Sequence, residues 1–202
     1  MTPKILAFAG SLRELSYNKR VLNIAVDGAR RSGAEVDVID LRDYPMPPIN
    51  PDEIEKNGFD QSALRLQELF SEYHGLLIAT PEYNGSVPGG LKNVIDWVSR
   101  RSPKFGVNEA FKGKFAAMIA ASPGSFGGIR CIAHLRGILS IMGVTVLPSE
   151  IAVTFVAEKF VGDSLEIKDE KTKSLLEELG AALADMLIRV HGSAKYVSDT
   201  SS

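Results

Sequence analysis

Several features are scarce in this sequence, and each scarcity excludes a class of protein. A single cysteine, Cys131, cannot form an internal disulfide, which fits a reducing compartment. The formal net charge is only -2, so no strong field attracts nucleic acid or an anionic membrane. No run approaches the roughly 20 apolar residues of a membrane span. Because the apolar run Ile5 to Ala9 is also short for a signal peptide, we expect a cytoplasmic protein.

Several ligand-binding motifs are missing as well. There is no G-x-G-x-x-G, so a dinucleotide-binding Rossmann site is disfavoured, although Asp40 stands where a ribose-binding acid would be. There is no G-x-x-x-x-G-K-[ST] phosphate loop either. His74, His134 and His191 have no ligand spacing among themselves or with Cys131, so the sequence predicts no metal site.

What the sequence does contain is a regular alternation of strand and helix patterns. Strands are predicted at residues 4–10, 35–40, 75–80 and 112–121, with a fifth inside 145–155. Helices are predicted from about residue 18 to 31 and at 62–72, 89–99, 127–142 and 173–190. This order predicts an α/β fold, a doubly wound five-stranded parallel sheet with helices on both faces. We expect one domain over residues 1–190 and a disordered tail over 191–202.

Two segments between these elements carry further expectations. Residues 41–60 contain four prolines and are predicted to be a long, stiff connection on the surface. The helix at 89–99 carries more apolar residues than one stripe requires, among them Leu91 and Trp97. These residues belong either to the core or to a subunit interface, and because a second apolar face needs a partner, we favour the interface.

Polar residues cluster in the loop after the first predicted strand. Ser11, Arg13, Ser16 and Asn18 lie between that strand and the start of the first helix. A helix N-terminus presents unpaired N–H groups and a partial positive charge, to which these side chains add donors. The combination suits a phosphate group, although Ser16 or Asn18 could also serve only as a helix cap.

The loop after the third predicted strand is of an unusual type. It begins at Thr80, is rich in proline and glycine, and offers the aromatic face of Tyr83 for stacking. Such a backbone can present N–H and C=O groups outward, as the pyrimidine edge of a flavin requires. The alternative is a tight turn that only precedes the next helix.

These loops resemble those of a known family, the NAD(P)H-dependent FMN reductases, which include quinone, chromate and azo-dye reductases. The first motif is Gly10-Ser-Leu-Arg-Glu-Leu-Ser-Tyr-Asn18. The second is Thr80-Pro-Glu-Tyr-Asn-Gly-Ser86, followed by Gly89-Gly-Leu-Lys-Asn93 and Asp96-Trp97, and the third is Ser122-Pro-Gly124. The likeness covers roughly residues 4–155.

The resemblance implies a flavodoxin-like fold with bound FMN, NADPH or NADH as electron donor, and a homodimer or homotetramer. It implies that the FMN phosphate is held by Ser11, Arg13, Ser16 and Asn18, with Tyr17 in the same loop. It implies that the flavin ring is bound by the backbone around Pro81, Glu82, Tyr83, Asn84 and Gly85, and that Ser122 and Gly124 border the ring and the ribityl chain. In this family the flavin carries the chemistry, so no dedicated catalytic side chain is expected.

Two other functions are weighed against this one. A flavodoxin-like electron carrier without a nicotinamide site is usually very acidic, and this chain is nearly neutral. A serine hydrolase is suggested by Pro123-Gly-Ser125-Phe-Gly127, which nearly matches G-x-S-x-G, with His134 or His191 as the partner base. Finally, the basic residues Arg100, Arg101 and Arg130 either meet an NADPH phosphate or are simply solvated.

Overall fold

Five parallel strands form the centre of the molecule in the computed structural model, which describes residues 2–162 and 164–192. The strands are β1 (Lys4–Ala9), β2 (Glu35–Ile39), β3 (Gly75–Thr80), β4 (Phe115–Ala121) and β5 (Thr145–Val153), and they lie in the order β2-β1-β3-β4-β5. The central strand β3 is buried at every position, as a strand covered on both faces requires. The predicted parallel sheet is therefore confirmed.

Helices cover both faces of this sheet. They are α1 (Tyr17–Arg31), α2 (Pro51–Asn57), α3 (Gln61–Ser71), α4 (Gly89–Val98), α5 (Ile129–Ile141), α6 (Val156–Lys159) and α7 (Glu170–Gly192). One hydrophobic cluster joins the sheet to α1, α6 and α7, and a second joins it to α3, α4 and α5. Helices α1 and α7 approach so closely that a Cβ on Gly180 would lie 1.8 Å from the carbonyl oxygen of Ala25.

The proline-rich segment differs from the prediction, because it contains regular structure. A 3-10 helix spans Leu41–Asp43, and α2 follows at Pro51–Asn57. Helix α2 begins with the side chain of Asn50 accepting a hydrogen bond from Asp52 N, and with proline at its first position. Both signals are present in the sequence, but the four prolines of this segment favoured an irregular connection over a helix.

This same segment covers Trp97, so the expected subunit interface at that residue is wrong. The indole Nε1 donates to the carbonyl of Pro47 at 2.8 Å, and the ring of Phe59 meets Trp97 edge-on at a centroid distance of 5.2 Å. Trp97 is only 3% exposed within a single chain. The second apolar face of α4 is therefore buried by the chain itself.

The last helix is longer than predicted. It begins three residues before position 173 and continues through residues 191 and 192, so the predicted start of the tail at residue 191 is wrong. Two of the leucine-stripe residues expected to face inward, Leu175 and Met186, are 44% and 38% exposed. The rest of the predicted tail, residues 193–202, lies outside the described residues. Within the described part, no helix is both long enough and apolar enough to cross a bilayer.

Candidate functional site

The loops after β1, β3 and β4 meet at the carboxyl edge of the sheet. The chain passes from β1 outward to β2 and then crosses to β3 on the other side of β1, so the winding direction reverses between β1 and β3. Sheets of this kind bind ligands outside the carboxyl ends of the strands at such a reversal. This edge is thus where a ligand is expected.

The loop after β1 leads into the N-terminus of the 15-residue helix α1. Ser16 is its N-cap, with a side-chain oxygen that accepts a hydrogen bond from Asn18 N at 3.2 Å. Ser11 is buried, and its hydroxyl oxygen accepts from Arg13 N at 3.3 Å, while the Arg13 side chain is exposed. The loop therefore combines two hydroxyls, a guanidinium and helix N–H groups, a donor set suited to a phosphate.

The first two residues of α1, Tyr17 and Asn18, have structural contacts that the resemblance did not include. Asn18 is buried, and its amide makes a reciprocal pair with the backbone of Ala121, at 3.0 Å through Nδ2 and 2.9 Å through Oδ1. This pair joins the first loop to the end of β4. The ring of Tyr17 faces the guanidinium of Arg20 at 5.2 Å and the ring of Phe160 at 6.4 Å.

The loop after β3 is a two-residue hairpin. Tyr83 N donates to Ser86 O at 2.9 Å, and Ser86 N donates to Tyr83 O at 3.0 Å. The two turn residues, Asn84 and Gly85, have φ values of 51° and 76°. Positive φ at both positions is typical of a type I′ turn, for which Asn-Gly is the favoured sequence. Tyr83 is half exposed on this hairpin, so its ring is available to a ligand.

Glu82 precedes the hairpin, and its side chain turns away from the solvent toward α5. Oε2 accepts from the backbone N–H groups of Arg130 at 3.1 Å and Cys131 at 3.3 Å. Oε1 accepts from Arg130 Nε at 2.7 Å and also from the terminal guanidinium nitrogen. The hydrogen bond from Arg130 lowers the pKa of Glu82, so the carboxylate stays ionised. Sequence reasoning did not find this pair, since 48 residues separate the partners.

The loop after β4 is hydrogen-bonded to the segment that follows β5. The Ser122 hydroxyl oxygen accepts from Gly124 N at 3.1 Å, and the carbonyls of Ser122 and Gly124 accept from Val156 N and Phe155 N. These bonds leave Ser122 half-buried and Gly124 exposed beside the other two loops.

No serine hydrolase triad is assembled among the described residues. His134 Nδ1 lies 2.9 Å from the hydroxyl of Ser86, and the ring of His191 packs 4.5 Å from that of His74 at the opposite edge of the sheet. Ser125 therefore lacks the neighbouring base that nucleophilic attack requires. Burial also raises the pKa of the Cys131 thiol to about 12, which makes it an inert nucleophile.

The other residues considered for nucleotide binding are either distant from this edge or already paired. Arg100 and Arg101 follow α4, which starts at the carboxyl edge, and its ten residues carry them roughly 15 Å away. Asp40, the possible ribose acid, forms ion pairs with Lys19 at 2.6 Å and Arg42 at 2.8 Å. Burial alone would raise the pKa of Asp40, but the hydrogen bonds from Arg42 and Lys19 hold it well below its usual range.

Comparisons with known proteins agree with this geometry. The sequence model of the family described as NADPH-dependent FMN reductase matches residues 3–158. An NAD(P)H-dependent FMN reductase of Pseudomonas aeruginosa is 33% identical over 94% of this chain and 97% of its own length. A quinone reductase of Escherichia coli K12 is 32% identical over 93% of this chain and 96% of its own.

Solved structures show the same fold. The flavoenzyme NAD(P)H:acceptor oxidoreductase FerB of Paracoccus denitrificans superimposes with a TM-score of 0.78 at 29% identity, covering 93% of this chain and 98% of its own. A flavodoxin from the domain Archaea superimposes with a TM-score of 0.60 at 12% identity, covering 91% of this chain and 98% of its own, which shows the fold alone. The flavodoxin-like architecture is thereby confirmed.

Proposed function

The chain belongs to the NADPH-dependent FMN reductase family and is an FMN-containing oxidoreductase that uses NADPH or NADH. On this premise we propose that FMN binds at the carboxyl edge of its sheet. One observation supports this most directly. A helix N-terminus with hydroxyls and a guanidinium lies at the winding reversal, beside a hairpin that carries an exposed aromatic ring.

The phosphate end of FMN would be held at the first loop. Ser11, Arg13 and Ser16 supply a guanidinium and two hydroxyls, and the first N–H groups of α1, beginning at Tyr17, supply the helix terminus. Asn18 would act there through its link to Ala121, which fixes the first loop against the end of β4.

The flat ring would be held at the other two loops. The backbone from Pro81 to Gly85 would supply donors and acceptors, with the Tyr83 ring beside them, and Ser122 and Gly124 would border the ring and ribityl chain. When bound, FMN accepts a hydride from the nicotinamide and passes electrons on to an acceptor. The residues of this chain bind and orient, so no side chain needs to act as a dedicated acid, base or nucleophile.

The acceptor would be a small oxidant, and the names of the relatives favour a quinone. Chromate, azo dyes and free flavin are the other candidates. We further propose that the protein acts in the cytoplasm as a homodimer or homotetramer, binding neither nucleic acid nor membranes. The net charge of -2 agrees with the last point.

The visible absorption spectrum of the purified protein, recorded without oxygen before and after NADPH is added, tests this function. We expect flavin bands that bleach within the mixing time and return when a benzoquinone is added. Bands that persist with NADPH and NADH would identify an electron carrier. An absence of bands after incubation with FMN would contradict the cofactor assignment.

A further inference from the structure

Helix α5 has no N-terminal cap of its own. Its N-cap position is Gly128, in a left-handed conformation with φ of 92°, and no side chain there can accept a hydrogen bond. The first N–H groups of a helix need acceptors, and a local Ser, Thr, Asp or Asn normally provides one. Here the acceptor comes from a distant part of the chain, because Glu82 Oε2 receives the N–H groups of Arg130 and Cys131.

The Arg130 side chain completes this contact. Its guanidinium donates to Glu82 Oε1, lies over the ring of Phe126 at 4.8 Å, and passes the turn of the hairpin, where a Cβ on Gly85 would lie 3.9 Å from Nε. Glu82 is nearly enclosed, with its side chain 8% exposed against 55% for Arg130. A buried carboxylate with two backbone donors and a guanidinium is held far more firmly than a surface ion pair.

A second contact lies one helical turn further along α5. His134 Nδ1 is 2.9 Å from the hydroxyl of Ser86, the last residue of the hairpin. Residues 130 and 134 share a face of the helix, so α5 contacts the residue before the hairpin and the last residue of the hairpin from one side. The two contacts flank the turn residues Asn84, which is exposed, and Gly85, which is half-buried.

We propose that Arg130 and His134 are positioning residues, which hold the hairpin of residues 83–86 in the orientation that the flavin ring requires. This inference rests on the proposed function and adds to it a role for two side chains of α5. A short hairpin at a sheet edge has little buried surface of its own and opens easily. A hairpin that is already fixed in the free protein reduces the entropic cost of cofactor binding and of hydride transfer.

This role also distinguishes Arg130 from an anion-binding residue. Its charge is compensated by Glu82 at hydrogen-bonding distance, and its guanidinium is directed at the protein. An Arg130 that met the phosphate of NADPH would discriminate NADPH from NADH. A positioning residue would affect both donors alike, because it acts through the flavin.

The test compares Arg130→Gln with Arg136→Gln in the full-length protein. Arg136 lies on the same helix and is also paired with a glutamate, Glu150, at 2.5 Å, but its partner is on β5. Amide hydrogen exchange at Tyr83 and Ser86 is measured first without FMN and then with saturating FMN. Turnover with NADPH and with NADH is measured in the saturated protein.

In Arg130→Gln we expect at least tenfold faster exchange of both hairpin amides and at least fivefold lower kcat with either nicotinamide. KM should stay close to that of Arg136→Gln. Ser86→Ala removes only the second contact, so it should raise the exchange rates and lower kcat by smaller factors. This variant tests the proposal if Arg130→Gln does not fold.

Unchanged exchange at both amides, or faster exchange with wild-type kcat, would overturn the positioning role. A loss confined to NADPH would identify an anion-binding residue instead. A wild-type protein that binds no FMN would overturn the proposed function first, and this inference with it, and its spectrum would show this before any variant is made.

Discussion

The two edges of the sheet carry polar groups of different kinds. At the amino edge, the ammonium of Lys114 donates to the carbonyl of Tyr73, and His74 Nδ1 accepts from Lys4 N at 3.0 Å. At the carboxyl edge, Arg13 and Tyr83 extend into solvent, and the apolar side chains of Leu12 and Phe126 are 55% and 62% exposed. The polar groups named at the amino edge are thus turned into the fold, whereas the carboxyl edge also presents a guanidinium and a phenol ring to the solvent.

This difference separates a structural edge from a binding edge. Burial lowers the pKa of Lys114 to about 8, and burial together with neighbouring basic groups lowers the pKa of His74. Perturbed pKa values alone would have marked the amino edge as a candidate site. The contacts show instead that these groups serve the packing of the scaffold, so the direction of the donors identifies the binding edge better than the pKa shifts do.

The largest difference between the two edges is expected in FMN affinity, when an arginine near either end of α1 is replaced. Arg13→Ala removes a charge-assisted contact to the FMN phosphate, which should weaken FMN binding by about 1.5–3 kcal/mol. Arg31→Ala removes the same residue type at the amino edge, where Arg31 is paired with Glu177 at 2.9 Å. Fluorescence titration with FMN should show the loss for Arg13 alone, whereas equal affinities for both variants would place the phosphate elsewhere.

An effect of intermediate size is expected in the pH dependence of stability, to which Lys114 contributes. Its pKa is about 8 in the folded protein and 10.5 when unperturbed, so between these values the unfolded state binds more protons. Stability should therefore rise with pH in this window, by no more than about 1.4 kcal/mol per pH unit. Urea unfolding at pH 7.5 and 9.5 measures the rise.

In Lys114→Met the Lys114 contribution to that rise should disappear, while FMN affinity remains that of the wild type. A weakened FMN affinity in this variant would show that the amino edge contributes to binding. An unchanged pH dependence would mean that Lys114 keeps an ordinary pKa in the folded protein.

The smallest effect is expected on turnover, when Tyr83 is replaced. Because the residue is half exposed, Tyr83→Ala should change the free energy of unfolding by less than about 0.5 kcal/mol. Loss of an aromatic contact with the flavin, worth about 0.5–1.5 kcal/mol, should lower turnover about two- to tenfold. Tyr83→Phe keeps the ring and should retain turnover, and a variant that loses stability but not turnover would make Tyr83 a packing residue.

Local sequence patterns were sufficient to predict the five strands, the five longest helices and the three loops, but not α2, α6 or the 3-10 helix. The continuous apolar run of β3 and the Asn84-Gly85 pair each specify their own conformation, because the cause lies within a few residues. The same patterns placed the loops at one edge, since parallel strands share a direction.

Contacts between distant residues could not be predicted in this way. Glu82 caps a helix 48 residues away, and Asn18 bonds a backbone 103 residues away. The covering of Trp97 depended on how the proline-rich segment folds back over α4. Each of these requires the packed structure, because nothing in the local sequence identifies the partner.

Amide chemical shifts of the isotopically labelled protein, followed by NMR as FMN is added, test the central claim most directly. The account predicts saturable shifts in residues 11–18, 81–86 and 122–124, and unchanged positions around His74 and Lys114 at the amino edge. The largest shifts at the amino edge, or no saturable shift in these three loops, would contradict it.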